Sequence, residues 1–299
     1  MSYENILLAN IPDMGRLYAR GARRSASLIR DLKKGKEVGA LPKTAHLARG
    51  VKLDPTNLTA YQHLLGEPGL DVAPAGFVHV TAFPLATSVM VRDDFPLPLI
   101  GMVHISNRVE QFAPVSIHDE FLVRSWAENL RAHRRGALVD MISEVTVSDE
   151  VVWRGTSTYL AKDVDVPDSA ESANGDARPS FDDLPTTAGR WKLPADIGRT
   201  YGKISGDRNP IHQSAITAKP LGFPRAIAHG MYTAARALAV IGQERGDRFT
   251  WSVNFAKPVF IPGTVTFGAE RLADNTGWRY AGWEPKKGKV HFTGEVVRN

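Results

Sequence analysis

One apolar helix followed by four strand-like runs, met twice along the chain, constrains the fold more than any other feature of this sequence. In the first half, residues 76–92 read as a helix around Phe77, Val80, Phe83 and Val89, with Pro84 marking a start or a kink. Strand-like runs follow at 100–109, 120–128, 137–148 and 151–161. In the second half, a helix over 230–245 precedes strands at 250–257, 263–272, 277–284 and 289–298. Met231, Ala234, Leu238 and Ile241 recur there at helical spacing, Ala235, Ala237 and Ala239 keep the girth small, and Gly246 offers a left-handed stop. A slim apolar helix with strands downstream is one a sheet can wrap. Residues 106–121 can be laid against 252–267 without a gap, by pattern rather than by identity. The expectation is an α+β chain made of two copies of one fold.

Between the copies, residues 163–184 turn poor in large apolar side chains and rich in Asp, Ser, Ala, Gly and Pro. Too little apolar surface is available there to offset ordering entropy, so the stretch reads as a linker. The predicted organisation is a basic arm over 1–60 leading into the first repeat, a first repeat over 61–162, the linker, and a second repeat over 185–299. With 299 residues, 43% of them hydrophobic, the chain can bury two cores of ordinary size.

The sequence has no cysteine, which removes disulfides, thiolate metal sites and a cysteine nucleophile. No basic segment precedes the short apolar run at the start, and no apolar stretch of about 18 residues occurs. A soluble, unexported, cytoplasmic protein without stable membrane insertion is expected. The formal net charge of +5 is uneven. Eleven Arg and Lys residues stand between Arg16 and Lys52, against only Asp31 and Glu37. Such an arm can be a solvated helix, or it can meet phosphates such as those of coenzyme A. It lacks the interleaved aromatics of a stacking surface, so no nucleic-acid partner is expected.

The densest chemistry lies in Ser205-Gly206-Asp207-Arg208-Asn209-Pro210-Ile211-His212. Pro210 disfavours helical dihedrals at Asn209 and suits the first position of a helix, so Asn209 is a candidate cap for a short helix over 210–218. In one continuous helix Asp207 and His212 would point about 140° apart. Broken at the cap, the chain can aim both at one point. The partial charge of a helix start would keep His212 neutral and able to accept a proton, while Asp207 takes a proton from water or orients it. A carboxylate and a neutral imidazole gripping one water suit hydration of a double bond. A turn-forming Asp207 and a surface His212 are the plainer alternative.

A second segment follows at Ile227-Ala228-His229-Gly230, at the mouth of the long helix. There the Gly230 N–H could bond a carbonyl oxygen that gains charge during reaction, although a tight turn also explains the glycine. His229 reads as a residue that positions the loop. No phosphate-binding loop, dinucleotide fingerprint, zinc-protease motif or nucleophile elbow is present. Asp207, His212 and His229 form no convincing metal set, and no metal or organic cofactor is expected.

With these residues in view, the sequence resembles the MaoC-like family of (R)-specific enoyl-CoA hydratases and 3-hydroxyacyl-thioester dehydratases. The family's S-G-D-x-N-P-x-H is matched at Ser205, Gly206, Asp207, Asn209, Pro210 and His212, and its A-H-G at Ala228, His229 and Gly230. The resemblance implies two tandem hot-dog repeats, the first having kept the fold and lost the motif. It also implies Asp207 and His212 as catalytic residues with Gly230 in the oxyanion hole, and substrate contacts from Ser205, Asn209 and His229. The family's double-repeat members often take long acyl chains, and Phe83 and Leu85 are candidates to line a tunnel, or else ordinary core. The expected substrate is a trans-2-enoyl or (3R)-hydroxyacyl thioester of coenzyme A or acyl carrier protein, handled by a monomer or a homodimer. A non-catalytic acyl-thioester binder, a thioesterase on the same fold, and a nucleic-acid or membrane-surface partner acting through the basic arm are the alternatives.

Overall fold

The computed structural model describes residues 3–166 and 183–299. In chain order its elements are β1 (Glu4–Leu8), α1 (Met14–Lys33), β2 (Thr44–Val51), α2 (Pro55–Leu65) and α3 (Ala75–Met90). Four strands follow, β3 (Val103–Gln111), β4 (Phe121–His133), β5 (Gly136–Val147) and β6 (Glu150–Lys162). The second half holds β7 (Thr187–Leu193), α4 (Ile197–Ser205), α5 (Ala215–Ala218), α6 (Gly230–Ile241), β8 (Phe249–Phe255), β9 (Gly263–Arg271), β10 (Gly277–Glu284) and β11 (Lys289–Arg298). Both helix-then-four-strand series are present. Pro84 neither starts nor ends α3, which runs through it. The helix predicted over 230–245 stops earlier, at Ile241, where Gly242 takes φ 65° and a 3-10 turn carries on to Gly246. Among the described residues no helix is long and apolar enough to cross a membrane.

The chain divides into two compact units that interleave in sequence. Among the described residues, one unit holds 3–52, 79–107 and 119–166, and the other holds 53–78, 108–118 and 183–299. The expected repeat boundaries, 61–162 and 185–299, are sequential and differ from this division. Helix α2 belongs to the second unit because it packs on α4 and α6. Most of the expected linker, residues 167–182, lies outside the described residues.

In the first unit the strand order is β1-β2-β4-β5-β6-β3, with β1 parallel to β2 and the β2, β4, β5 and β6 neighbours antiparallel. Its core gathers Val89, Met90, Phe95, Leu97, Val139 and Met141. The basic arm contains α1, and it is more than a solvated helix. Asp13 caps it, and Met14, Leu17, Gly21 and Ser25 are buried. A Cβ on Gly21 would stand 2.6 Å from a terminal methyl of Leu99, so glycine lets the helix lie against that side chain without displacing it. Arg24 donates to the Phe95 carbonyl at 2.8 Å and Arg20 pairs with Asp93 at 3.2 Å.

In the second unit the order is β8-β11-β10-β9-β7, with every pair antiparallel. Inward side chains of these strands stack, Trp191 on Phe267 at 4.5 Å, and each large apolar side chain so buried stabilises by roughly 2–3 kcal/mol. The indole N–H of the fully buried Trp251 donates to Tyr280 Oη at 2.7 Å, and that hydroxyl donates on to the Ser252 carbonyl. Helix α6 buries Met231, Ala234, Ala235, Ala237, Leu238 and Ile241 against this sheet. Its small residues let the strands approach, which brings the start of α6 beside β8.

Candidate active site

The loop between α4 and α6 holds Asp207 and His212, and its shape follows from short-range hydrogen bonding. Helix α4 ends at Gly206, whose φ of 73° is left-handed and suits glycine. Ser205 is buried, and its Oγ donates to the Tyr201 carbonyl at 2.9 Å and accepts the Asp207 N–H at 3.2 Å. Asp207 Oδ1 accepts the Asn209 N–H at 3.0 Å, and Asn209 Oδ1 accepts the Ile211 N–H at 3.3 Å. These side chains replace the helical ladder with successive turns. Asn209 is the cap of the next element.

That element is shorter than expected. Pro210 opens a single 3-10 turn, Pro210–His212, rather than a helix running to 218. Ser214 then takes extended dihedrals, φ −160° and ψ 164°, and its hydroxyl accepts the Thr217 N–H to cap the four-residue α5. Serine competes for the backbone and splits the helix in two. The split frees His212 to turn inward.

His212 is buried, and its Nδ1 donates to the Ile227 carbonyl at 2.8 Å. A carbonyl only accepts, so Nδ1 carries the ring proton and Nε2 presents a lone pair. Burial first, and then the neighbouring His229, push the His212 pKa down to about 3. Neutrality was expected from the field of a helix start; a three-residue turn supplies little of that, and burial does the work instead. His229 is also buried, and its Nε2 donates to the Asp207 carbonyl at 2.9 Å and lies 3.7 Å from Asp207 Oδ2. Burial lowers its pKa as well, opposed by Asp207. The two imidazoles stack with centroids 3.6 Å apart and planes 25° from parallel.

Asp207, His212 and His229 each bring one side-chain donor or acceptor atom within 4.8 Å of the others. A water bonded to two groups at about 2.8 Å bridges a gap of roughly 4.5 Å, so the carboxylate and the imidazole can share one water. The same three residue types also hold metals. Here Nε2 of His229 and Nδ1 of His212 donate to backbone carbonyls, which leaves each ring a single lone pair. The arrangement suits proton transfer.

Gly230 begins α6 directly after His229, and His229 offers no side-chain cap to the helix's first turn. A second reason for glycine emerges there. A Cβ at 230 would lie 2.8 Å from the tip of the Phe255 ring, so any larger residue there requires that ring to shift. Phe83 and Leu85 lie in the first unit. Leu85 is fully buried in core, and half-buried Phe83 borders a small cavity shared with His79, Met141, Trp153, Ser157 and Tyr159.

Three residues of the second unit were not singled out in the sequence. A Cβ on Gly198 would stand 2.0 Å from the His212 carbonyl, and one on Gly202 would stand 2.8 Å from that of Asp207. These glycines, four apart on one face of α4, let the loop lie directly on the helix. The buried Tyr201 ring stands 5.0 Å from His229 and backs it. The only advance signal was the four-residue glycine spacing ahead of the motif.

Three comparisons bear on this geometry. A family model described as the MaoC like domain matches residues 171–283. The chain is 36% identical over 260 residues to 3-hydroxyacyl-thioester dehydratase X of Mycobacterium tuberculosis, covering 86% of this chain and 90% of that protein. The crystal structure of HtdX from the same organism superposes with a TM-score of 0.74 at 32% identity, covering 85% of this chain and all of the other. A further Mycobacterium tuberculosis protein, described as having a double hot-dog fold, gives a TM-score of 0.50 at 13% identity over 83% of this chain and 93% of its own, a likeness of fold alone.

Proposed function

Since this chain belongs to the MaoC-like dehydratase family, and is a hydro-lyase with the hot-dog fold of that family, we propose that it interconverts (3R)-hydroxyacyl and trans-2-enoyl thioesters. Asp207 and His212 hold the water that is added or removed. In hydration, the pair takes a proton from water as its oxygen bonds to C3, and one proton is returned to C2. Dehydration runs the same steps backwards, so no redox partner is needed. The thioester acidifies the C2 proton, and the Gly230 N–H steadies the carbonyl oxygen as it gains charge.

One observation carries this reading: an aspartate and a buried neutral imidazole converge to within 4.8 Å, with His212 Nε2 left as an acceptor. Its partner His229 holds the Asp207 backbone, so the loop cannot drift from the imidazole. Serine, glycine and asparagine of the motif act through the loop's turns, and we assign Ser205 and Asn209 to positioning rather than to substrate contact.

The direct test follows the ultraviolet absorbance of an enoyl thioester with purified protein. Loss of the conjugated band without release of free thiol supports hydration. Release of thiol would make the protein a thioesterase, and binding without any spectral change would make it a carrier of acyl thioesters.

A further inference from the structure

The loop that carries Asp207 and His212 also carries a surface that the reaction does not use. Ile216, in α5, is 83% exposed, the most exposed large apolar side chain among the described residues. It is not on a frayed end. Thr217 Oγ1 donates to the Pro210 carbonyl at 2.7 Å, and the Ser214 cap fixes the turn, so Ile216 is presented rigidly beside the His212 turn. Leu221 and Phe223, a few residues on, are half-exposed. Lys219 stands three residues after Ile216 on a continuous helical turn and so lies next to it.

Charge on this stretch is one-sided. Arg199, Lys203, Arg208, Lys219 and Arg225 are exposed, against Asp196 and the site's own Asp207 between residues 196 and 225. None of the five pairs with a carboxylate of the described residues. Arg199 and Arg225 are instead anchored on backbone carbonyls, those of Gln213 and Pro262. Cations alone would suit the phosphates of a small thiol cofactor. A presented isoleucine flanked by cations is complementary to an apolar protein surface with acidic margins.

We propose that the loop from Arg208 to Arg225, with Ile216 at its crest, docks a small acidic carrier protein that delivers the acyl group as a thioester on a flexible arm. The inference rests on the hydro-lyase reading above and names the form in which the substrate arrives. The acidic margins meet Arg208 and Lys219, and an apolar helix face covers Ile216.

The experiment compares one enoyl group borne on pantetheine, on coenzyme A and on an acidic acyl carrier protein, using the full chain. The expected result is that Ile216→Glu and Lys219→Glu each raise KM for the carrier-borne substrate by about tenfold or more, with kcat and pantetheine turnover unchanged. Equal loss on pantetheine, or no loss on the carrier with Ile216→Glu, overturns the proposal. So does a pattern in which Lys219→Glu impairs coenzyme A turnover and Ile216→Glu impairs nothing, which assigns the cations to cofactor phosphates. Absence of turnover on all three thioesters would sink the hydro-lyase reading itself. In that event calorimetric titration with the acylated carrier still decides the docking question, since binding that Ile216→Glu weakens supports the surface and no binding removes it.

Discussion

The tautomer of His212 decides what the candidate site can do. With Nδ1 held by the Ile227 carbonyl, the ring offers a lone pair at Nε2 and nothing else, and burial keeps it uncharged through the neutral range. Removing that lone pair removes the acceptor. His212→Ala and Asp207→Asn are each expected to lower kcat by at least about 100-fold, the usual scale for general acid-base groups, with unchanged circular dichroism. Near-normal kcat in either variant would end the assignment. In the proposed mechanism His229 acts through Asp207, so its conservative replacement separates positioning from proton transfer. His229→Gln, which retains an N–H donor for the Asp207 carbonyl, should keep much more activity than His229→Leu; equal loss in both would mean that the imidazole itself handles a proton.

At the scale of elements, the site exists because α4 has no side chain where the loop crosses it. A Cβ 2.0 Å from the His212 carbonyl cannot be accommodated without moving the loop, since backbone cannot give way as a flexible side chain does. Gly198→Ala should therefore cost about 1–3 kcal/mol in urea unfolding and lower kcat by displacing His212. Gly202→Ala, with 2.8 Å to the Asp207 carbonyl, should do less of both. If Gly198→Ala leaves kcat intact, the loop is not held by α4. This layer was barely legible beforehand. The two long helices and the eight strands after them show in the sequence because their apolar periods are long and uninterrupted. Elements β1, β2, α2, β7 and α4 are short or weakly patterned, and they hold through partners distant in sequence, as when Asn57 of α2 donates to the Ile204 carbonyl at the end of α4. Asp207 and His212 were visible because a capping Asn and a Pro at fixed spacing dictate a local break. The packing of that break on Gly198 was not visible, because nothing local requires it. The split of the 210–218 helix was missed for a different reason: Ser214 reads equally well as an interior or a capping residue until its hydroxyl is seen on Thr217.

At the scale of the molecule, buried neutral histidines tie stability to pH. Burial pushes His212 down to about 3 and His46 down to about 4, the latter helped by Arg92, and lowers His229 and His291 as well. Unfolded, each would titrate near its ordinary value of about 6.5. Between that value and its depressed folded pKa, each histidine is protonated in the unfolded chain and neutral in the folded one. The unfolded state then binds more protons, so stability rises with pH across this window. The histidine contribution is complete above about pH 6.5 and declines as the pH falls towards 4, by on the order of 1 kcal/mol per pH unit for each fully depressed group. Three of the four histidines belong to the second unit, and only His46 to the first. Acid should therefore weaken the second unit first. Tryptophan fluorescence is poorly suited to telling the units apart, because both contain Trp, but amide exchange read peptide by peptide can do so. On going from pH 7 to pH 5, protection should fall more in β8 to β11 and α6 than in β4 to β6. His212→Ala and His229→Gln should flatten that dependence in the second unit while His46→Gln flattens it only in the first. Uniform loss of protection across both units, or a pH dependence untouched by these replacements, would show that carboxylates rather than the buried imidazoles set acid stability.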